Sequence, residues 1–407
     1  MFIGYNLVIN SKLHQAICDI ITKNNLCYNS ITRKVKCQMS EKTKETMLTY
    51  IEESPAVIRK NVDNSFKITT NLVKEFTEKS YKNIWIVASG SSSNGSYCAR
   101  DFIRKYLNTE VKIITPFTFI HTENNFTDDD FIFVVSQSGY STNSIDALNV
   151  IKAKGRKAIG VTMDLNSDFR HHADLLIDYA IGFETVGYVT KGVTGFALYL
   201  MLFTIESALI KGIMDGRVAN DLKAEIRKTA DVHEMVQKQT HEFYKNNFLP
   251  LTSMTKVYCC GVGAGQAIAM EAALKIGETV QIPSIAYEAE EYLHGPSLQI
   301  APYLTIFMID VGIASKRICD IYDANKIATP NNFMITTNKA YKDDKMVVVV
   351  DTDIKAELLP LCFLPFFQII AYQVTEDTNN WTRHPAQPTF EKTVACKTEN
   401  YESRSEH

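Results

Sequence analysis

From about Ile84 onward, short β-branched runs alternate with segments whose apolar residues recur at helical spacing. This alternation marks parallel-sheet α/β units, because consecutive parallel strands need helical crossovers. It predicts strands at IWIVA (84–88), FIFVV (131–135), KAIGV (157–161) and DLLID (174–178). The first two each run into a Ser/Gly turn and a helix-compatible stretch. A long apolar helix after Thr190 closes this group. Residues from about Asp215 to Phe248 are charged, free of proline and apolar at helical spacing, which predicts a long connecting helix. The scheme then restarts: VYCC (257–260) enters GVGAGQ and a helix much as IWIVAS enters GSSSNG, and LTIFMID and MVVVV supply later strands. Two similar α/β units are expected rather than one large sheet.

The pattern divides the chain into a leader (1–46), a first unit (47–215), a connecting helix (216–248), a second unit (249–380) and a tail (381–407). The leader is rich in Asn and Lys and has no clear period. MLTYIEESPAVI begins a convincing helix just after it, so Met39 and Met47 are alternative starts.

Composition narrows the function. The chain has 407 residues, of which 45% are hydrophobic and 22% charged, enough for sizeable cores and too ordered in composition for a disordered chain. Lys plus Arg (43) nearly balances Asp plus Glu (46), for a net charge of -3. That leaves no basic field for gripping nucleic acid, so an anionic ligand needs a local site. The nine cysteines are scattered without the spacing of a zinc site or redox pair, so neither a metal nor a cofactor is expected. Their odd number fits a reduced, cytoplasmic protein. The apolar start MFIGYNLVIN lacks the basic region of a signal peptide. Two later apolar runs, Val193 to Ile210 and Leu358 to Val374, contain Glu206 or Pro360, Pro365 and Gln368; both suit buried helices, and no membrane partner is expected.

Two turns carry candidate binding chemistry. A-S-G-S-S-S-N-G (88–95) lies between a strand and a helix, where free backbone N–H groups and the helix dipole favour an anion. Gly90 permits close approach of the backbone, and Ser91, Ser92 and Ser93 add hydroxyls. S-Q-S-G-Y-S-T (136–142) repeats the design at the end of a buried strand, the edge at which open parallel sheets bind ligands. Ser and Gly are common caps and turn formers, so either loop alone is an ordinary turn. Both at one sheet edge point to a phosphate monoester held by neutral donors. Neither contains the G-K-[ST] of a P-loop, and GVGAGQ lacks the full dinucleotide spacing, so it is read as a structural turn.

The candidate chemistry lies in the second unit. Glu271, Lys275 and Glu278 share one helical face at i, i+4 and i+7. Such a stripe is ordinarily a solvated face. Here the intervening residues are apolar, and Y-E-A-E-E-Y-L-H-G-P (287–296) follows, fixing His294 before a Gly-Pro pair. Carboxylates beside a Lys and a His are what proton shuttling requires.

These pieces, in this order, resemble the sugar isomerase (SIS) domain family, and most of all the isomerase half of glucosamine-6-phosphate synthases. S-Q-S-G-Y-S matches the family's S-Q-S-G-x-[ST] phosphate loop and G-S-S its G-[TS]-S loop. E-T-V-G-Y-V-T-K (184–191) is similar to a short E-x-x-x-x-x-T-K segment of the isomerase. M-E-A-A-L-K-I-G-E with E-Y-L-H-G-P is similar to L-E-x-A-L-K-x-x-E with L-K-H-G-P. The resemblance implies two SIS units, each a parallel sheet flanked by helices in a three-layer sandwich. It places Ser91, Ser92, Ser136, Gln137, Ser138 and Ser141 around a phosphate, and Glu271, Lys275, Glu278 and His294 in the chemistry. In the synthases a lysine near the end can form a Schiff base with the keto sugar. Lys392 in E-K-T-V matches it, with Lys397 second.

The implied activity is C1/C2 proton transfer on a 6-phosphorylated keto or amino sugar, as in a deglycase or deaminase-isomerase. No glutaminase domain with its cysteine nucleophile is recognisable. The alternatives are a non-catalytic phosphosugar sensor, and an isomerase component that uses ammonia from elsewhere. Because the family's equivalent of His294 can reach a neighbouring subunit's site, the resemblance also implies a homodimer. Tyr140, Tyr188 and Trp381 are candidate contacts for the amine.

Overall fold

The computed structural model describes residues 45–382 and 384–402. The expected leader and its alternative start at Met39 therefore lie largely outside the described residues. Helices α1 (Met47–Asp63) and α2 (Ser65–Thr77) come first, with Thr46 capping α1 through Thr49. The first sheet holds β1 (Asn83–Val87), β2 (Glu110–Ile114), β3 (Asp130–Val135), β4 (Ile159–Thr162) and β5 (Leu175–Asp178). Its major helices are α3 (Gly90–Leu107), α4 (Thr142–Ala153) and α5 (Lys191–Ile210). Helix α6 (Gly216–Asn246) runs 31 residues and is capped by Asp215, whose carboxylate accepts from Val218 N at 2.9 Å.

The second sheet holds β6 (Val257–Gly261), β7 (Ser284–Glu288), β8 (Thr305–Asp310), β9 (Asn332–Thr336) and β10 (Val347–Val349). Helices α7 (Ala264–Lys275), α8 (Ser315–Asn325) and α9 (Pro360–Asp377) surround it, and α10 (Gln387–Val394) belongs to the tail.

Within the two sheets every strand pairing is parallel. The strand orders are β2-β1-β3-β4-β5 and β10-β9-β8-β6-β7. Read from the other edge, the second order is the first repeated, with β6 in the place of β1 and β8 in the place of β3. The architecture is two α/β units with parallel five-stranded sheets flanked by helices, as the alternation predicts. Sequence patterning misses β2, β7 and β9. EVKII and SIAYE form edge strands with half-exposed residues, and NFMIT opens on a polar residue.

Both long apolar runs are buried. Helix α5 is long and apolar enough to cross a membrane, yet 89% of its apolar window is buried within the fold. It packs against α2 and α3, with Phe203 edge-on to Phe76 at 5.4 Å. Helix α9 packs on α6, where Phe366 meets Phe243 at 5.4 Å. The six described cysteines are free, and five of them are buried.

The GVGAGQ turn is structural. A Cβ on Gly265 would meet Ile309 O at 2.9 Å, so the strand and helix backbones already fill the space that a ligand would need.

Candidate functional site

The carboxyl ends of β1 and β3 sit where the strand order reverses, and both Ser-rich loops emerge there. They line one cavity of about 480 Å³ together with the 184–189 segment, Leu274, Glu278 and four tail residues, Lys397, Asn400, Tyr401 and Glu402. The hydroxyls of loop 136–141 and Glu278, which are 137 residues apart at their closest, thus face the same space.

Loop 136–141 is shaped by its own backbone. Ser136 Oγ accepts from Gly139 N at 3.2 Å, and Gly139 takes a φ of +71°. A Cβ at Gly139 would collide with the side chain of Ser167, so this turn requires glycine both for conformation and for space. Ser138 and Ser141 present their hydroxyls to Lys397 Nζ at 3.1 and 3.0 Å.

Two of the expected phosphate residues have their side chains engaged elsewhere. Ser91 Oγ donates to Glu271 Oε1 at 2.9 Å, and Gln137 Nε2 donates to Glu184 Oε2 at 2.7 Å. Both residues still line the cavity, as do Ser92 and Ser136. Glu184 is a residue that the motif reading did not single out, although it opens the E-T-V-G-Y-V-T-K segment. Its buried carboxylate also accepts the N–H groups of Thr190, Lys191 and Gly192 at 2.7, 2.9 and 3.1 Å. It thereby satisfies the free donors at the start of α5 and holds the 184–189 wall in place. Burial pushes its carboxyl above the usual range, and the hydrogen bond from Gln137 opposes that shift. Lys191 turns away to pair with Glu53 at 2.7 Å.

The acid-base cluster is largely buried. Helix α7 gives way to a five-residue π turn at Ile276–Val280, a local widening that carries Glu278. Lys275 Nζ pairs with Glu278 Oε1, and lies 3.4 Å from Glu271 Oε1. The Lys275 and Glu271 side chains are each 1% exposed, whereas Glu278 is 30% exposed and reaches the cavity. Burial works against the charge of Lys275, but Glu278 and Glu271 outweigh it and hold the ammonium above its usual range. Burial raises the Glu271 carboxyl, opposed by Lys275 and by the hydrogen bond from Asn94 Nδ2 at 2.8 Å. Asn94 and Ser91 belong to α3, so this carboxylate ties the two units together. Asn94 lies within the A-S-G-S-S-S-N-G turn, but the motif reading does not single it out.

His294 lies on an exposed turn outside the cavity, between Glu291–Leu293 and the Gly295 bend at φ +130°. Lys392 is exposed on α10 and also lies outside. The tail lysine that enters the cavity is Lys397. Tyr140 lines the cavity, while Tyr188 and Trp381 lie against each other with centroids 5.7 Å apart and do not line it.

The second unit has a different arrangement at the equivalent strand end. Where the first has loop 136–141 after β3, the second ends β8 with buried Asp310. Its carboxylate accepts from Gly312 N (2.9 Å), Ser315 Oγ (2.7 Å) and Thr336 Oγ1 (2.6 Å). A side-chain carboxylate already occupies the donors that an external anion would use.

The SIS domain family model matches residues 79–205, the first of these units. A glutamine–fructose-6-phosphate aminotransferase (isomerizing) of Caldanaerobacter subterraneus subsp. tengcongensis is 29% identical over 263 residues, covering 61% of this chain and 42% of that protein. The chain spans about half the length of the curated relatives it matches. A candidate phosphosugar isomerase of Clostridium difficile 630 superposes with a TM-score of 0.79 at 24% identity, covering 88% of this chain and 100% of the other. The C-terminal domain of glucosamine-fructose-6-phosphate aminotransferase from Francisella tularensis gives 0.73 at 20% identity, covering 85% and 100%. These structures share the fold of two parallel-sheet units.

Proposed function

We propose, for a chain whose residues 79–205 match the SIS domain family model, an enzyme that moves a proton between C1 and C2 of a 6-phosphorylated keto or amino sugar, acting as a deglycase or deaminase-isomerase. The observation that carries this reading is the shared cavity. Neutral hydroxyl donors from the first unit and a half-exposed carboxylate from the second line one space of about 480 Å³, within the usual size of small-ligand sites.

In this reading, Ser92, Ser136, Ser138 and Ser141, with the backbone of loop 136–141, hold the phosphate. Binding of that remote group orients the reacting carbons. Glu278 takes the proton. Lys275, fixed by Glu271, offers a positive charge to the oxygen that gains electron density in the enediol or enolamine. With a fructosamine phosphate, loss of a C1 proton and protonation at C2 give a C1 imine. Water adds to it and releases aldose phosphate and amine. With glucosamine phosphate, loss of the C2 proton and protonation at C1 give a C2 imine, which water hydrolyses to fructose phosphate and ammonia. His294 serves the cavity of a second copy in a homodimer.

The test is solvent exchange. Fructose 6-phosphate and a fructosamine 6-phosphate are incubated in deuterated water, and the C1 proton is followed by NMR. Exchange is expected with the native chain and should fall by at least about 10²-fold in Glu278→Gln, with binding retained. Exchange unchanged in Glu278→Gln would remove Glu278 from the chemistry. Binding without exchange in the native chain would make the protein a sensor.

A further inference from the structure

The tail residues from Ala395 to Asn400 are stitched to the first unit. Thr142 N and Oγ1 donate to Cys396 O (3.3 Å) and Ala395 O (2.9 Å), and Thr398 N donates to Tyr140 O at 3.0 Å. Ser141 and Lys397 form an antiparallel bridge, and Asn400 Nδ2 donates to Asp168 at 3.1 Å. These bonds aim the Lys397 side chain inward, under the ring of Tyr401, whose centroid is 5.2 Å from Nζ.

The ammonium has no carboxylate partner among the described residues; both of its hydrogen bonds go to neutral hydroxyls. Lys397 is half-buried, and a partly desolvated cation normally has a counter-ion, because desolvation without one is costly. Burial lowers the Lys397 ammonium below its usual range, and the neighbouring Cys396 opposes that shift.

The hydroxyl geometry adds a direction. Ser138 Oγ accepts from Lys397 Nζ at 3.1 Å and from Tyr140 N at 3.4 Å, so its two lone pairs are engaged. Its O–H is left to donate elsewhere, and the remaining neighbour is the cavity. The third ammonium proton is likewise uncommitted. Lysine and serine together form a set of donors waiting for an acceptor that carries the missing negative charge.

We propose that Lys397 is a ligand of the substrate phosphate, supplying the one positive charge in an otherwise neutral cradle. It rests on the phosphosugar reading and adds a cation which the Ser/Gln motifs do not encode. It also assigns this lysine to the phosphate end of the substrate, not to the carbonyl.

Titration calorimetry on the full chain tests this with inorganic phosphate, fructose 6-phosphate and fructose as probes. The native chain should bind the first two and not the third. Lys397→Met should weaken phosphate binding about ten- to a hundred-fold, the range for losing a charge-assisted hydrogen bond, whereas Lys397→Arg should hold it within a few-fold. Ser138→Ala weakening both ligands while Lys397→Met binds normally would overturn the proposal and leave the phosphosugar reading standing. A native chain that binds neither phosphate nor fructose 6-phosphate would overturn the reading itself, and the proposal with it. Borohydride trapping gives an independent readout: a reduced fructose 6-phosphate adduct on Lys397 would put the amine at the carbonyl and refute its role as a phosphate ligand.

Discussion

Lys275 offers the clearest measurement of how the two units are joined. Its ammonium lies 3.4 Å from Glu271, with both side chains 1% exposed. At an effective dielectric of about 20, two unit charges at that distance attract by roughly 5 kcal/mol, which offsets much of the desolvation of burying them. Lys275→Met removes the attraction and leaves Glu271 with two neutral donors, Ser91 Oγ and Asn94 Nδ2. Breaking a buried pair in this way costs about 3–5 kcal/mol. Glu271→Gln leaves Lys275 its bond to Glu278 and should cost less, about 1.5–3 kcal/mol. The double variant removes both buried charges, so its cost should fall short of the sum by about 0.5–3 kcal/mol. Equilibrium urea unfolding followed by circular dichroism reads all three. If Lys275→Met lies within about 1 kcal/mol of the native chain, or the two changes add without coupling, the cluster is not the buried joint described here.

Other expectations are simpler to state. Gly139→Ala must place a Cβ against Ser167 at a φ of +71°, so phosphate binding by calorimetry should be lost while far-ultraviolet dichroism is retained. His233 is fully buried with Nδ1 2.7 Å from Leu361 O, and burial lowers its pKa to about 4. The unfolded chain then binds the extra proton, so this residue's contribution to stability is complete above about pH 6.5 and declines by about 1.4 kcal/mol per unit as pH falls towards 4. Urea midpoints across that window should flatten in His233→Gln, and an unchanged slope would refute the assignment. Light scattering at micromolar concentration should give twice the chain mass; a monomer would remove His294 from any partner's cavity.

Much of the fold was legible because β1, β3, β6 and β8 are predominantly apolar and each enters a glycine-containing turn. Edge strands such as EVKII were not, since half their residues face solvent and carry no buried run. The two Ser-rich loops were readable from local residue types. Their partners were not: that Ser91 bonds to Glu271 and Gln137 to Glu184 depends on how α3 and α5 pack, which no local spacing encodes. The tail shows the same limit. E-K-T-V drew attention to Lys392, yet α10 leaves that residue in solvent, and the antiparallel bridge after it delivers Lys397 instead.

Asp310 has a consequence for where a ligand can make itself felt. The second unit carries its counter-charge as part of the chain, so its loops are set once, when the protein folds. In the proposed reading, the first unit's cradle is completed by a bound phosphate. Free energy of binding should therefore be deposited unevenly, slowing amide exchange along β1, β3 and the tail while leaving β8 and β9 unchanged. The strand ends around Asp310 would then be indifferent to a ligand that the Ser-rich loops, the tail and Glu278 register.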